Sequence, residues 1–299
     1  MKKVLITGAN GLLGQALCHL FQKKYAVLPT GVEESFQIKP ETHPYQILDI
    51  TNFSKCKNLI NDFKPDIIVN AASFTQVDEC ENKKELCWQI NVKGVENLAN
   101  LARRHDIHLV HYSTDYVFDG KNGPYSEDHR PKPLGYYGKS KLASENVLRQ
   151  IGSPSTIIRT CVLYGIGKAV KKNFFLWVLE NLRMGKPISV VTDQFNNPTL
   201  VEDLARGSEL VIQKAALGLY HMAGEEYVSR FEFACAIAEK FDLSADLITP
   251  IKTSHLKQQA NRPLRGGLQI ELAKTQLDYK PTPLAESLLY LKWKLSENS

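Results

Sequence analysis

Tyr137 and Lys141 stand four residues apart in YYGKSKLASENVLR, a stretch with the spacing of a helix, so the two side chains share one face. An ammonium beside a phenol favours the phenolate, and a free tyrosine with a pKa of about 10 would thereby be brought toward neutral pH. A tyrosine so tuned can give or take a proton. Thr114 closes the strand-like run before this segment and supplies a hydroxyl able to hold a carbonyl oxygen beside the phenol. The pattern Tyr-x-x-x-Lys by itself says little, because it recurs at Tyr164/Lys168 and Tyr290/Lys294. Only the first copy follows a strand ending in Ser-Thr and opens a helix downstream of a nucleotide-binding start.

Several elements must position these groups. The run Ile107 to Tyr112 predicts a strand, and Pro124, Pro131 and Pro133 make the connection to Tyr137 irregular. A connection of that length in a compact domain usually has a function. Lys3 to Ile6 predicts a buried strand; TGANGLLG then turns into ALCHLFQKKY, which is apolar at helical spacing. That order opens a dinucleotide-binding βαβ unit. Gly8 permits the tight turn, Gly11 lets backbone N–H groups approach a pyrophosphate, and Gly14 allows the helix to pack closely on the strand. The helix start at Leu12 and Leu13 turns its positive end toward the phosphates.

The next strand, Ala26 to Thr30, ends in Thr30 and Gly31 with no acidic residue to meet a ribose 2′-hydroxyl, which leans toward NADPH. No arginine is near to hold a 2′-phosphate, so NADH stays open. Asp49, after Gln46 to Leu48, either contacts adenine or helps to cap a helix from Asn52 to Phe63. Asp66 to Asn70 is a continuous apolar strand of the parallel, doubly covered kind. It runs into Ala71, Ala72 and Ser73, small residues that admit a ring or ribose against the backbone or simply pack tightly. A helix is expected from Lys83 to His105, with Asn91 inside it either facing solvent or holding a polar partner. Ser155 to Thr160 is a further strand. This alternation predicts an α/β fold: a Rossmann-like doubly wound parallel sheet over residues 1–165, with every motif on its carboxyl edge. Residues 166–299 read as a smaller C-terminal α/β substrate-binding lobe, with returns to the first domain allowed. Its expected elements include helices at Phe174 to Met184, Val201 to Gln213, Arg230 to Phe241 and Pro283 to Leu295, and strands at Ile188 to Thr192 and Leu219 to Met222.

At 299 residues, 43% hydrophobic and 23% charged, the chain has the composition of an ordinary globular protein. Its net charge of +5 is spread without a basic run, so no nucleic-acid partner is implied. The six cysteines lack C-x-x-C spacing and are expected to be reduced. No apolar stretch reaches the ~20 residues of a membrane span, and the apolar run after Met1 is too short for a signal peptide. A cytoplasmic protein is expected. The histidines show no ligand spacing and read as structural.

Together, TGANGLLG, Asn91, STDYVFDG (Ser113–Gly120), YYGKSK, RTCVLYG (Arg159–Gly165), DQFNNPT (Asp193–Thr199) and ANRP (Ala260–Pro263) resemble the extended short-chain dehydrogenase/reductases. More narrowly, they resemble the dTDP-4-dehydrorhamnose reductase family, across essentially the whole chain. The resemblance implies NADPH- or NADH-dependent reduction of the C4 ketone of a nucleotide sugar. Tyr137 would be the proton donor, Lys141 would lower its pKa and hold the nicotinamide ribose, and Thr114 would bind the reacting oxygen. It places the cofactor against Gly8, Asn10, Gly11, Leu12, Leu13 and Gly14, and further along against Asp49, Ile50, Ala71, Ala72, Ser73 and Asn91. Thr75, Asp115, Tyr116, Val162, Asn196 and Arg262 would meet the substrate, and a homodimer is among the expectations. Val162 stands where the family often has Trp, and Asn196 with Asn197 where a glycine is common. Ala16 replaces the carboxylate through which some members bridge a dimer by metal, so no metal is expected there. The chain is also similar to the regulatory β subunit of methionine adenosyltransferase, notably in FACAIAEKFDLSADLITPI, which implies a binding role instead.

Overall fold

The computed structural model describes residues 1–170 and 173–297. Along the first half run β1 (Lys3–Thr7), α1 (Leu12–Phe21), β2 (Ala26–Gly31), β3 (Gln46–Ile47), α2 (Phe53–Phe63), β4 (Ile67–Asn70), α3 (Val77–Asn82), α4 (Lys84–Trp88), α5 (Gly94–His105), β5 (His108–Thr114), α6 (Tyr136–Ile151) and β6 (Ser155–Thr160). The second half holds β7 (Leu163–Tyr164), α7 (Phe174–Arg183), β8 (Ile188–Val191), β9 (Phe195–Asn196), β10 (Thr199–Leu200), α8 (Val201–Gln213), β11 (Gly218–His221), β12 (Val228–Ser229), α9 (Arg230–Lys240), β13 (Ile248–Ile251), α10 (Glu271–Leu277) and α11 (Leu284–Ser296).

Seven parallel strands form the main sheet in the order β11-β6-β5-β4-β1-β2-β3. The strand order reverses between β1 and β4, which leaves a crevice at the carboxyl ends where ligands of such sheets bind. Alternate residues of each strand feed opposite faces. Val4, Ile6, Val69 and Val110 pack under α1 and α8, whereas Leu5, Ile68 and Leu109 pack under α2, α5 and α6. The expected Rossmann-like α/β sheet is thus present.

One feature departs from expectation, and a second is a return to the first domain of the kind allowed for. The stretch from Lys83 to His105 is not one helix: α4 and α5 are joined by a π-helical turn at Gln89–Lys93, and α3 precedes them. The strand near Leu219 leaves the C-terminal lobe and pairs with β6, extending the main sheet. What remains of the lobe is built on the β8–β13 pair with α7, α9 and α11, around Phe175, Val178, Phe233, Ile237, Leu288 and Leu291. Among the described residues, no helix is long and apolar enough to cross a membrane.

Candidate active site

The glycine turn is shaped by close approach of backbone to backbone. Gly8 has φ +66°, and a Cβ there would lie 2.6 Å from the Ala72 nitrogen. A Cβ on Gly14 would sit inside the contact radius of the Gly8 carbonyl oxygen, so α1 can enter this close to β1 only without a side chain. Gly11 is the N-cap of α1 and no side chain caps the helix, which leaves its first N–H groups for an anion. The site therefore fits a dinucleotide's pyrophosphate. Gly14→Ala is expected to weaken NADPH binding at least tenfold in a fluorescence titration, by moving α1 away; parental affinity would show that the close packing is not required.

The other expected cofactor contacts distribute unevenly. Leu12 and Leu13 form the first turn of α1, and Ala71, Ala72 and Ser73 line the exit of β4 opposite the glycine turn. Asn10 is committed to the protein: its amide donates to Glu33 Oε2 (3.2 Å) and the Ser35 carbonyl (2.8 Å), while its oxygen accepts from the Gln37 N–H. Asp49 is exposed and accepts from the Thr51 N–H and hydroxyl, and Asn52 caps α2. Asp49 thus holds the turn that presents Asn52 as the cap, which is the capping role open to it. Ile50 is buried against Gly94 of α5.

Of the two readings open to Asn91, solvent exposure and a polar partner, the second holds. Its oxygen accepts from Ser73 Oγ (2.9 Å) and the Phe74 N–H (2.8 Å), and its amide donates to the Phe74 carbonyl (3.0 Å) and to Ser140 Oγ (3.1 Å). Ser140 in turn donates to the Tyr137 carbonyl at 2.8 Å. The π turn that carries Asn91 thus ties the β4 exit to the helix bearing Tyr137, and such turns often sit at functional sites.

β5 delivers Thr114 to the sheet edge, and α6 presents Tyr137 in its first turn above it. The Thr114 hydroxyl reaches the phenol. Close contact of the two elements is possible because residue 138 is glycine, where a Cβ would collide with the Tyr116 carbonyl. Tyr116 meets Tyr137 edge to face, with ring centroids 5.7 Å apart. The expected lowering of the Tyr137 pKa is not found. Burial, followed by the Asp115 carboxylate, pushes it above the ordinary range, with Thr114 opposing. Lys141 makes its close polar contact with His111 (Nζ to Nε2, 3.3 Å), and burial brings it down to about 8. Tyr137 is accordingly a phenol at neutral pH, the form that can donate a proton. Asp115, buried against the Gly267 N–H (3.3 Å) and the Thr114 hydroxyl (3.2 Å), is pushed up to about 6 by its burial.

In the C-terminal lobe a cleft of about 360 Å³ is lined by Phe174, Trp177, Val190, Gln194, Arg230 and Arg262 among others, and the two arginines lie near Tyr116. Arg262 lines it and is braced by a bidentate pair with Asp78 (2.8 and 3.0 Å). Arg230 was not expected. It is the first residue of α9, set by a capping box between Ser229 and Glu232, and its guanidinium lies 4.8 Å over the Phe174 ring. The signal for its placement was in the sequence as Ser-x-x-Glu. Among the described residues, no carboxylate lies within ion-pair distance of Arg230; the Asp115 carboxylate acts on it only at longer range, so the cleft suits an anion. Asn196 is buried in β9, and its side-chain oxygen has no hydrogen-bond partner among the described residues. Thr75 is exposed on the loop from β4 to α3. Val162 sits half-buried at φ +45°, a left-handed conformation in which a β-branched residue is strained. Val162→Gly is therefore expected to keep or raise the urea midpoint, although the same change in an unstrained core site would lower it; a loss above about 1 kcal/mol would refute the strain.

The RmlD substrate binding domain family matches residues 1–296. A dTDP-4-dehydrorhamnose reductase of Aggregatibacter actinomycetemcomitans is 34% identical over 96% of this chain and 97% of its own length. Methionine adenosyltransferase 2 subunit beta of Xenopus laevis is 34% identical over 84% of this chain and 75% of its own. Among solved structures, a dTDP-4-dehydrorhamnose reductase of Clostridium acetobutylicum superposes with TM-score 0.89 at 32% identity, covering 98% of this chain and 99% of that one. The Bacillus anthracis reductase in complex with NADP gives 0.88 at 31% identity, covering 98% and 100%. With the glycine cradle, the Thr114–Tyr137–Lys141 edge and the two-arginine cleft in one molecule, the chain belongs to the RmlD substrate binding domain family.

Proposed function

We propose that this chain reduces the C4 ketone of dTDP-4-dehydro-L-rhamnose to dTDP-L-rhamnose with NAD(P)H. Residues 1–165 would hold the cofactor and residues 166–299 chiefly the substrate. The observation that carries the reading is Thr114 reaching Tyr137, with Lys141 one turn along the same helix, and Tyr116 linking Tyr137 to Arg230 and Arg262 of the cleft. The cofactor, when bound, supplies the hydride. Thr114 holds the ketone oxygen, and Tyr137, protonated at neutral pH, gives its proton to the developing alkoxide. A sugar alkoxide is more basic than an ordinary phenolate, and the transfer is favoured where a neighbouring ammonium offsets the burial of the phenol. Lys141, still largely charged near neutrality with a pKa of about 8, stabilises the phenolate that forms. Arg230 and Arg262 would bind the diphosphate and Phe174 with Trp177 the nucleoside, while Asn196 offers a buried acceptor to the sugar.

The test is oxidation of NADPH and of NADH, followed at the nicotinamide absorbance, with the 4-keto sugar nucleotide generated in situ. Sugar-dependent oxidation is expected, and the two rates rank the cofactors. A second reading, a binding subunit of a methionine adenosyltransferase, draws on the 34% identity to subunit beta. It predicts cofactor binding with no sugar-dependent oxidation and capture of a synthetase by the immobilised chain. That pair of results would overturn the reductase reading.

A further inference from the structure

Thr7, Asn70 and His111 are register partners on the neighbouring strands β1, β4 and β5. Their side chains therefore emerge in a row on the sheet face that α6 covers. Two residues earlier the same face carries Leu5, Ile68 and Leu109, fully buried, so the polar row is laid directly on an apolar one. Each member has a defined partner. Thr7 Oγ1 donates to Asn70 Oδ1 at 2.6 Å, which turns the Asn70 amide nitrogen toward His111 Nδ1 at 3.2 Å. An amide nitrogen only donates, so Nδ1 must accept and the neutral ring carries its proton on Nε2. The other side of the ring demands the same. Nε2 lies 3.0 Å from Ser144 Oγ, whose own hydrogen is spent on the Lys141 carbonyl at 2.7 Å, leaving that oxygen to accept from Nε2–H.

The geometry points to His111 as a positioning residue for Lys141. Locked from both sides as the Nε2–H tautomer, it places a ring nitrogen 3.3 Å from the Lys141 ammonium that offers no lone pair. The ammonium thus finds no acceptor on its sheet side, and its charge is left to be satisfied by the phenol and by bound ligands. His111 cannot relieve this by protonating, since burial and then the Lys141 charge hold it well below the ordinary histidine range. The other groups facing Lys141 do not replace it. Glu145 on the same helix and Cys87 from α4 favour the ammonium, but burial outweighs both, and Glu145 is bonded to Arg159.

The inference rests on Lys141 belonging to the reductase machinery, and its test is chosen to be separable from that reading. A two-bond proton–nitrogen spectrum of the wild-type chain with 15N-histidine, from pH 6 to 9, should show one buried histidine as the neutral Nε2–H tautomer throughout, identified by its loss in His111→Gln. In that variant an amide oxygen can accept from the ammonium. In Asn70→Asp a carboxylate draws the proton to Nδ1 and turns Nε2 into an acceptor. Both changes should raise the basic limb of kcat/KM for NADPH, expected near 8 in the wild type, by about one pH unit. A merely structural histidine would cost activity or stability without moving that limb. A wild-type His111 found as Nδ1–H or as imidazolium at pH 7 overturns the inference, as does a limb unmoved in both folded variants. The same limb can be read from NADPH fluorescence on binding, so absence of sugar turnover would sink the proposed reaction and leave this test standing.

Discussion

Tyr137→Phe is expected to lower kcat of the reductase by about 10²–10⁴, the usual contribution of a general acid, with KM for the cofactor little changed. The variant loses one hydroxyl, whose protein partner is Thr114, and keeps the ring that meets Tyr116. Stability should therefore be near parental, which separates lost chemistry from lost fold. The pH profile carries further information. Because burial and Asp115 hold the Tyr137 pKa above the ordinary range, the phenol stays protonated to high pH in the free enzyme. The basic limb near 8 is then assigned to Lys141. Tyr137→Phe should keep that limb in its residual activity, whereas Lys141→Met should abolish it. Near-parental turnover in Tyr137→Phe would refute the proton-donor role.

The alternation of strands and helices was legible because buried parallel strands are continuous apolar runs and their covering helices show a 3.6-residue period. Val201 to Gln213 emerged with its expected bounds. What escaped was decided by distant partners. Gly218–His221 is a short apolar run that reads alike in either lobe, and only its pairing with β6 places it. No proline breaks the helix after Lys83, and the one glycine, Gly94, keeps helical backbone; the π turn accompanies Asn91, whose bonds reach Ser73, Phe74 and Ser140. The glycine turn and the Tyr137 face were visible as spacing. The pKa of Tyr137 was not, because the pairing of Tyr137 with Lys141 anticipated a charge while burial and Asp115 prevail. Arg230 was hidden by its distance in sequence from every other residue of the site.

Glu145→Leu is expected to cost about 3–5 kcal/mol in urea unfolding, the range for removing one partner of a buried ion pair. Both groups are sealed from solvent, Glu145 at 0% and Arg159 at 1% exposure. Glu145 Oε1 accepts from Arg159 Nε (2.8 Å) and Ser113 Oγ (2.6 Å), and Oε2 from Arg159 Nη2 (2.7 Å) and Arg149 (3.1 Å). Arg159 also reaches His221 Nε2 and lies 5.1 Å over the Phe118 ring, which stacks on Tyr125. One carboxylate thereby joins β5, α6, β6, β11 and the loop that follows Thr114. Without it Arg159 keeps its charge in a buried site with only the more distant Glu127 carboxylate acting on it, and Ser113, next to Thr114, loses its acceptor. A double change with Arg159→Met should cost less than Glu145→Leu alone, because no orphaned charge remains. The pH dependence has a definite sign. Burial raises the Glu145 pKa, but the hydrogen bonds and charge of Arg159 outweigh it and hold the carboxyl below the ordinary range. A lowered folded-state value contributes stability above the unfolded pKa of about 4.3 and loses it as the pH falls through the folded one. The gap between wild type and Glu145→Leu should therefore be full at pH 7 and narrow only in acid below about 4. A gap independent of pH into that range would mean that packing, not the ion pair, holds these five elements together.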